Sequence, residues 1–275
     1  MAEAMRNYAE YLDGPHAWML GRFVAPVSRL SEFDGLSGKL LPAGEGSKPW
    51  LITALAGDDL GSDAQHALKF NCRHWHGSDL GHAIIDSIEA RVGADADPAA
   101  TRSAVPDFFA LYCESAASGD PAAVVDFAER AGARAKIRMG GVTPAAFPAP
   151  EAVMAFLTGC AERGLAFKAT AGLHHLIRSD YALTYDAGSD HATMYGFLNV
   201  FLAAAAVLSD WPADAARDIL LEPDLKSFRF DEAGVSWRGR TLTADEISRA
   251  RKLATSYGSC SFREPVDELL AAGLI

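Results

Sequence analysis

DFFALYCE (107–114), PAAVVDFAERA (121–131), ARAKIRM (133–139), PEAVMAFLTGCAER (150–163) and LAFKAT (165–170), read in order, decide the fold. The first, third and fifth are short apolar runs of strand length. The second and fourth place apolar residues three and four apart, the spacing of a helix with one buried face. Strand, helix, strand, helix, strand is the pattern of a parallel sheet with its crossovers packed against it. Capping chemistry agrees. Pro150 stands in the first turn of the second helix, where its missing amide hydrogen is no loss, and Gly164 follows the helix end, where left-handed backbone is wanted.

Working outward, residues 22–26, 50–56 and 82–90 read as earlier strands, which gives about six strands before residue 175. Residues 194–208 read as a buried helix; were that apolar face exposed, it would be an interface between copies of the chain in a homo-oligomer. Residues 227–230 and 235–237 flank the turn Asp231-Glu232-Ala233-Gly234 as a β-hairpin, and Thr243 with Glu246 opens a helix as a capping box. The expectation is one α/β domain over residues 1–275, TIM-barrel-like and complete or short of a strand or two. Within it, 223–275 is a lid or a closing subdomain. The length of 275 residues fits, since about 250 is usual for such a barrel.

Bulk composition narrows the function. A hydrophobic fraction of 49% supplies a core, and a net charge of −11 works against binding to nucleic acid or an anionic membrane surface. The four cysteines, Cys72, Cys113, Cys160 and Cys260, form no C-x-x-C pair and read as reduced thiols of a soluble, cytoplasmic protein. No complete dinucleotide or nucleoside-triphosphate motif occurs, so a small-molecule substrate is expected, with no cofactor and no metal.

In parallel α/β folds, reactive groups collect at the carboxyl ends of strands. Strand parity puts Lys136 on one face with Arg134 and Arg138, opposite Ala135, Ile137 and Met139; in the next strand Lys168 shares its face with Ala166 and Thr170. Two neighbouring strands thus aim lysines at one mouth. One cation beside another disfavours protonation and frees an amine to attack a carbonyl as a Schiff-base nucleophile. Glu89 and Glu114, late in the two preceding strands, are candidate proton-transfer partners, and the doublet His174-His175 offers a general acid or base. Arg138 and Arg178 are candidates to clamp an anionic substrate.

AKIRMGG (135–141), the helix 150–163 and FKATAGL (167–173) together resemble the lysine-bearing strands of class I aldolases of the deoxyribose-phosphate aldolase type. In those enzymes a Lys-x-x-x-Gly strand precedes a Lys-Ala-x-x-Gly strand. The resemblance covers residues 133–173 and implies that Lys136 forms the Schiff base while Lys168 is the neighbour that lowers its pKa. Ile137 and Arg138 depart from the small hydroxyl residues of that pattern, and His174-His175 stands where a phosphate-binding loop would continue. The expected activity is an aldolase-like lyase acting on a small polar or anionic carbonyl compound.

Two alternatives stand beside it. His74-Trp75-His76 has the H-x-H form that on a strand points two imidazoles at one metal, and with His174 and His175 it suggests a metal-dependent hydrolase. Residues 70–73 before it, however, read as a helix end. The other alternative is a non-catalytic metabolite-binding protein whose lysines serve as charge. No serine sits in a nucleophile elbow, since the run 257–261 lacks the G-x-S-x-G spacing; Cys260 is a candidate nucleophile, but a small loop thiol is more often inert and no sequence feature marks a lowered pKa.

Overall fold

The computed structural model describes residues 1–115 and 120–275. The chain runs α1 (Ala2–Leu12), β1 (Phe23–Pro26), α2 (Leu30–Ser37), β2 (Trp50–Leu55), α3 (Leu60–Arg73), β3 (Ala83–Val92), α4 (Pro98–Ser103) and β4 (Ala110–Ser115). It continues through α5 (Ala123–Arg130), β5 (Arg134–Arg138), α6 (Pro150–Glu162), β6 (Phe167–Thr170), β7 (Ser179–Ala182), β8 (His191–Met194), α7 (Phe197–Leu208) and α8 (Ala213–Leu221). The tail holds β9 (Phe228–Asp231), β10 (Gly234–Trp237), β11 (Arg240–Thr243), α9 (Ala244–Leu253), β12 (Ala254–Gly258) and α10 (Arg263–Ala271).

Among the described residues seven parallel strands lie in the order β1-β2-β3-β4-β5-β6-β12. The first six follow chain order, as strands of a TIM barrel do, and the series ends at β1 and β12 instead of closing. The fold is therefore α/β, TIM-barrel-like and incomplete. Small antiparallel sheets, β11-β10-β9 and β7-β8, accompany it. No helix of the described residues is long and apolar enough to cross a membrane.

The chain groups into two compact units, Met1–Cys113 with Arg130–Arg134, and Glu114–Glu129 with Ala135–Ile275. In the first, Tyr8, Phe23, Phe33, Trp50 and Phe70 fill the core with edge-on rings, Tyr8 to Trp50 at 4.8 Å and Phe33 to Phe70 at 5.4 Å. The hydroxyls of Thr53 and Ser87, Cα partners on β2 and β3, satisfy each other at 2.7 Å in a buried site.

In the second unit, β5, β6 and β12 place Lys136, Lys168 and Ser256 in one register row. The next row, Ile137, Ala169 and Tyr257, faces the other way, and Tyr257 stacks on Phe197 of α7 at 5.0 Å. Helix α7 is buried along most of its length, including the run Ala203, Ala204, Ala205 and Ala206, so it is core. Its one buried amide, Asn199, donates to the carbonyls of Ile219 and Glu222 and accepts from the Arg178 amide at 2.7 Å. Helix α6 ends as Gly164 predicts: Gly164 takes φ +57, its amide donates to Ala161 and that of Leu165 to Cys160. The capping box of Thr243 and Glu246 opens α9.

Several expectations shift. The strand expected from residue 107 begins at Ala110, after the exposed Phe108, and the helix expected from 194 begins at Phe197 because Met194 pairs in β8 with Ser179. Strand β3 runs on to Val92, so Glu89 is interior to it and not at its end. The tail hairpin gains a third strand, β11, and the tail then returns β12 to the sheet beside β6. The short β7-β8 hairpin and β12 were not expected; both are too short and polar to show the alternation that marks a strand.

Candidate active site

Lys136 and Lys168 are Cα partners on adjacent parallel strands, so their side chains leave the sheet side by side. Both residues are buried, at 7% and 6% exposure. Glu114, near the end of β4, is buried as well, and its Oε2 forms an ion pair with Lys136 Nζ. Arg138, two residues on from Lys136, lies over this pair with Nη1 3.9 Å from Glu114 Oε1, while its Nε donates to the Gly140 carbonyl at 3.2 Å. Thr170 shares the inner face with Lys168, and its Oγ1 is buried without a hydrogen-bond partner among the described residues. Lys136, Lys168, Glu114 and Arg138 thus lie together.

Beyond this row the backbone turns sharply. Ala171 and Gly172 both adopt left-handed φ, 61° and 66°. A Cβ on Gly172 would stand 2.8 Å from the Gly140 Cα, so the chains leaving β5 and β6 touch backbone to backbone, which only glycine permits. The turn delivers His174 and His175 to the rim at the carboxyl end of the strands.

The two histidines meet α10. Its Glu264 and Glu268, four residues apart on one face, accept from His174 Nδ1 at 3.2 Å and His175 Nδ1 at 2.6 Å. His175 is locked further, stacking on Tyr181 with centroids 3.5 Å apart, and Glu268 also accepts from the Leu176 amide at 2.5 Å. A thiol also reaches His174: Cys260 Sγ, two residues past β12, lies 3.5 Å from Nε2 and 3.8 Å from Nδ1. Ser259 Oγ stands 3.4 Å from Nδ1, and the Tyr185 hydroxyl donates to Glu264 at 3.0 Å.

The hydrogen bond to His174 holds the Cys260 thiol below its ordinary pKa, and the same bond, helped by the charge of Glu264, raises the imidazole. Burial pushes Cys113 and Cys160 the opposite way, up to about 12. His174, the partner that lowers the thiol, lies 86 residues from Cys260 in sequence, where no local reading finds it. A usable signal did exist in REPVDELL (263–270), whose acids at i and i+4 match the adjacent histidines.

The remaining candidates are placed as follows. Glu89 is buried in β3 of the first unit. Arg178 is half-buried, with its amide on Asn199. His74 caps the end of α3, as residues 70–73 suggested, with Nε2 2.9 Å from Asp34 and Nδ1 3.1 Å from the Gly81 carbonyl, so both ring nitrogens already have protein partners. Among the described residues no group of three or more His, Cys, Asp or Glu side chains is placed to hold a metal ion. A groove of about 610 Å3 along α5, α6 and α8, lined in part by Asp126, Glu151, Arg163 and Arg217, includes none of the lysine-cluster residues. No protein-family model matches this chain, and no curated protein does.

Proposed function

We propose that the chain is a lyase of the class I aldolase kind, acting on a small polar or anionic carbonyl compound through a Schiff base on Lys136. The observation that carries this reading is the in-register burial of Lys136 beside Lys168, with the Glu114 carboxylate on the Lys136 amine. Stability does not call for such a cluster. Lysine is seldom buried, and apolar residues of similar volume would avoid the cost of dehydrating three charged groups.

In the proposed reaction the Lys136 amine attacks the carbonyl carbon and the carbinolamine loses water to give an iminium. A base then takes the proton of the hydroxyl on the β-carbon, the carbon–carbon bond breaks with its electron pair entering the iminium to give an enamine, and the other fragment leaves as an aldehyde or ketone. Protonation of the enamine and attack by water release the product and restore the amine. Glu114 lies at the atom where protons must move and serves as their acceptor and donor. Lys168 stands beside Lys136 in register, and Arg138, 43% exposed, is the cation available to an anionic substrate.

Borohydride trapping with a panel of small aldehydes and keto acids, read by intact mass and peptide mapping, tests this. A reduced adduct on Lys136, absent in Lys136→Arg, is the expected outcome. An adduct on Lys168 alone would exchange the roles of the two lysines, and no adduct with any carbonyl would overturn the reading.

A further inference from the structure

We propose that Cys260, His174 and Glu264 form a second nucleophilic centre, a cysteine–histidine–carboxylate triad that accepts small activated acyl groups from esters or thioesters. This goes beyond the lysine chemistry and does not rest on it. The cluster of contacts carries the proposal: Glu264 Oε2 is 3.2 Å from Nδ1 of the imidazole and the Cys260 sulfur lies 3.5 Å from Nε2 and 3.8 Å from Nδ1, so the thiol and the ring are close enough to exchange a proton while the carboxylate supports the charged ring. A nucleophile within reach of a base that is oriented by a third group is the general form of an acyl-transfer site.

Each member is held from a different element. His174 follows the turn after β6, Cys260 follows β12, and Glu264 stands in the first turn of α10, where Tyr185 from the segment between β7 and β8 fixes its Oε2. Cys260 is exposed and lies three residues ahead of α10. The other thiol of this unit, Cys160, is buried on α6, so Cys260 has no accessible cysteine in its own unit with which to run disulfide exchange. That separates an acyl acceptor from a dithiol redox site. The charged and titratable groups facing the pair are Glu264 from α10, Tyr185 from the hairpin, and His175 with Glu268 alongside.

The chemistry balances without an added oxidant. The Cys260 thiolate attacks the acyl carbon, a carbon–sulfur bond forms, and the tetrahedral oxyanion collapses. The leaving alkoxide or thiolate departs with its electron pair and takes a proton from the His174 imidazolium. Water, deprotonated by the now neutral His174, then attacks the thioester, giving a carboxylic acid and regenerating the thiolate–imidazolium pair.

The test uses the whole chain and 4-nitrophenyl acetate, with iodoacetamide as an independent probe of the thiolate. A burst of one equivalent of nitrophenolate with the acetyl group mapped to Cys260 is expected, lost in Cys260→Ser. His174→Ala should slow acetylation and subsequent turnover by about tenfold or more. In the unmodified chain at pH 7, iodoacetamide should alkylate Cys260 about tenfold faster than it alkylates free cysteine, an advantage that His174→Ala removes. Acetyl groups found only on lysines, or alkylation of Cys260 at the rate of free cysteine, would overturn the proposal. Borohydride adducts on Lys136 are unaffected by either result, so the two centres succeed or fail separately.

Discussion

The lysine row and the histidine rim belong to the same unit and lie only six residues apart between Lys168 and His174, yet they are held in opposite ways. Lys136, Lys168 and Glu114 are fixed by strand register and are almost fully buried. His174, Cys260 and Glu264 are fixed by loops and a helix that return from far along the chain, and their side chains keep partial access to solvent. The first arrangement has few degrees of freedom and a high dehydration cost; the second is cheap to dehydrate and easy to disturb. Substitutions in the row should therefore register first as lost stability, and substitutions on the rim as altered reactivity.

The sharpest way to break this contrast is Glu114→Ala. It removes the carboxylate from a buried ion pair, and breaking such a pair by deleting one partner costs about 3 kcal/mol or more. Urea denaturation should show the loss as a lowered midpoint with the slope unchanged, and Glu114→Gln, which keeps the shape and one acceptor, should lose less. A Glu114→Ala midpoint indistinguishable from the parent would mean that the row is solvated after all and that the two regions do not differ in kind.

How far each region could be read from sequence follows the same division. Period-2 parity is local, so Lys136, Lys168 and Arg138 could be grouped from short strands alone, with Glu114 added from its place late in the strand before, and the six strands through β6 followed from apolar runs between helices. Glu89 was misplaced at a strand end because its strand continues through Arg91 and Val92, and nothing in IEARV marks a stop. The rim was illegible for a different reason. Cys260 reaches His174 only because β12, a strand with weak apolar patterning, inserts beside β6, and that pairing joins segments more than 80 residues apart. His175 was legible as a residue but not in its setting: stacked on Tyr181 and tied to Glu268, it anchors α10 to the loop.

The turn joining the two regions gives an intermediate effect. Gly172 combines φ 66° with a backbone approach that leaves a Cβ 2.8 Å from Gly140 Cα and 3.0 Å from the Met139 carbonyl. Gly172→Ala should cost about 2 kcal/mol, part from left-handed backbone and part from pushing β5 and β6 apart at their ends. Thermal or urea unfolding measures it. A neutral result would show that the strand ends move apart freely, and then the rim could not be regarded as held in place by the row beneath it.

The smallest stability effect, and the one that separates orientation from charge on the rim, is expected from Glu264→Ala. Its side chain is 28% exposed, so the loss should be within about 0.5 kcal/mol. Its effect on chemistry has two opposing parts. The carboxylate supports the charged imidazole of His174, which favours the thiolate, and repels the thiolate directly, which disfavours it. The two oppose each other, and iodoacetamide alkylation of Cys260 at pH 7 should change by no more than about threefold. Proton transfer has no such compensation. Without Glu264 on Nδ1 the ring is free to rotate Nε2 away from the sulfur, so acetyl turnover at Cys260 should fall by about tenfold even while alkylation holds. Equal losses in both assays would make Glu264 an electrostatic partner only, and no loss in either would leave it as a tether between α10 and the β6 loop.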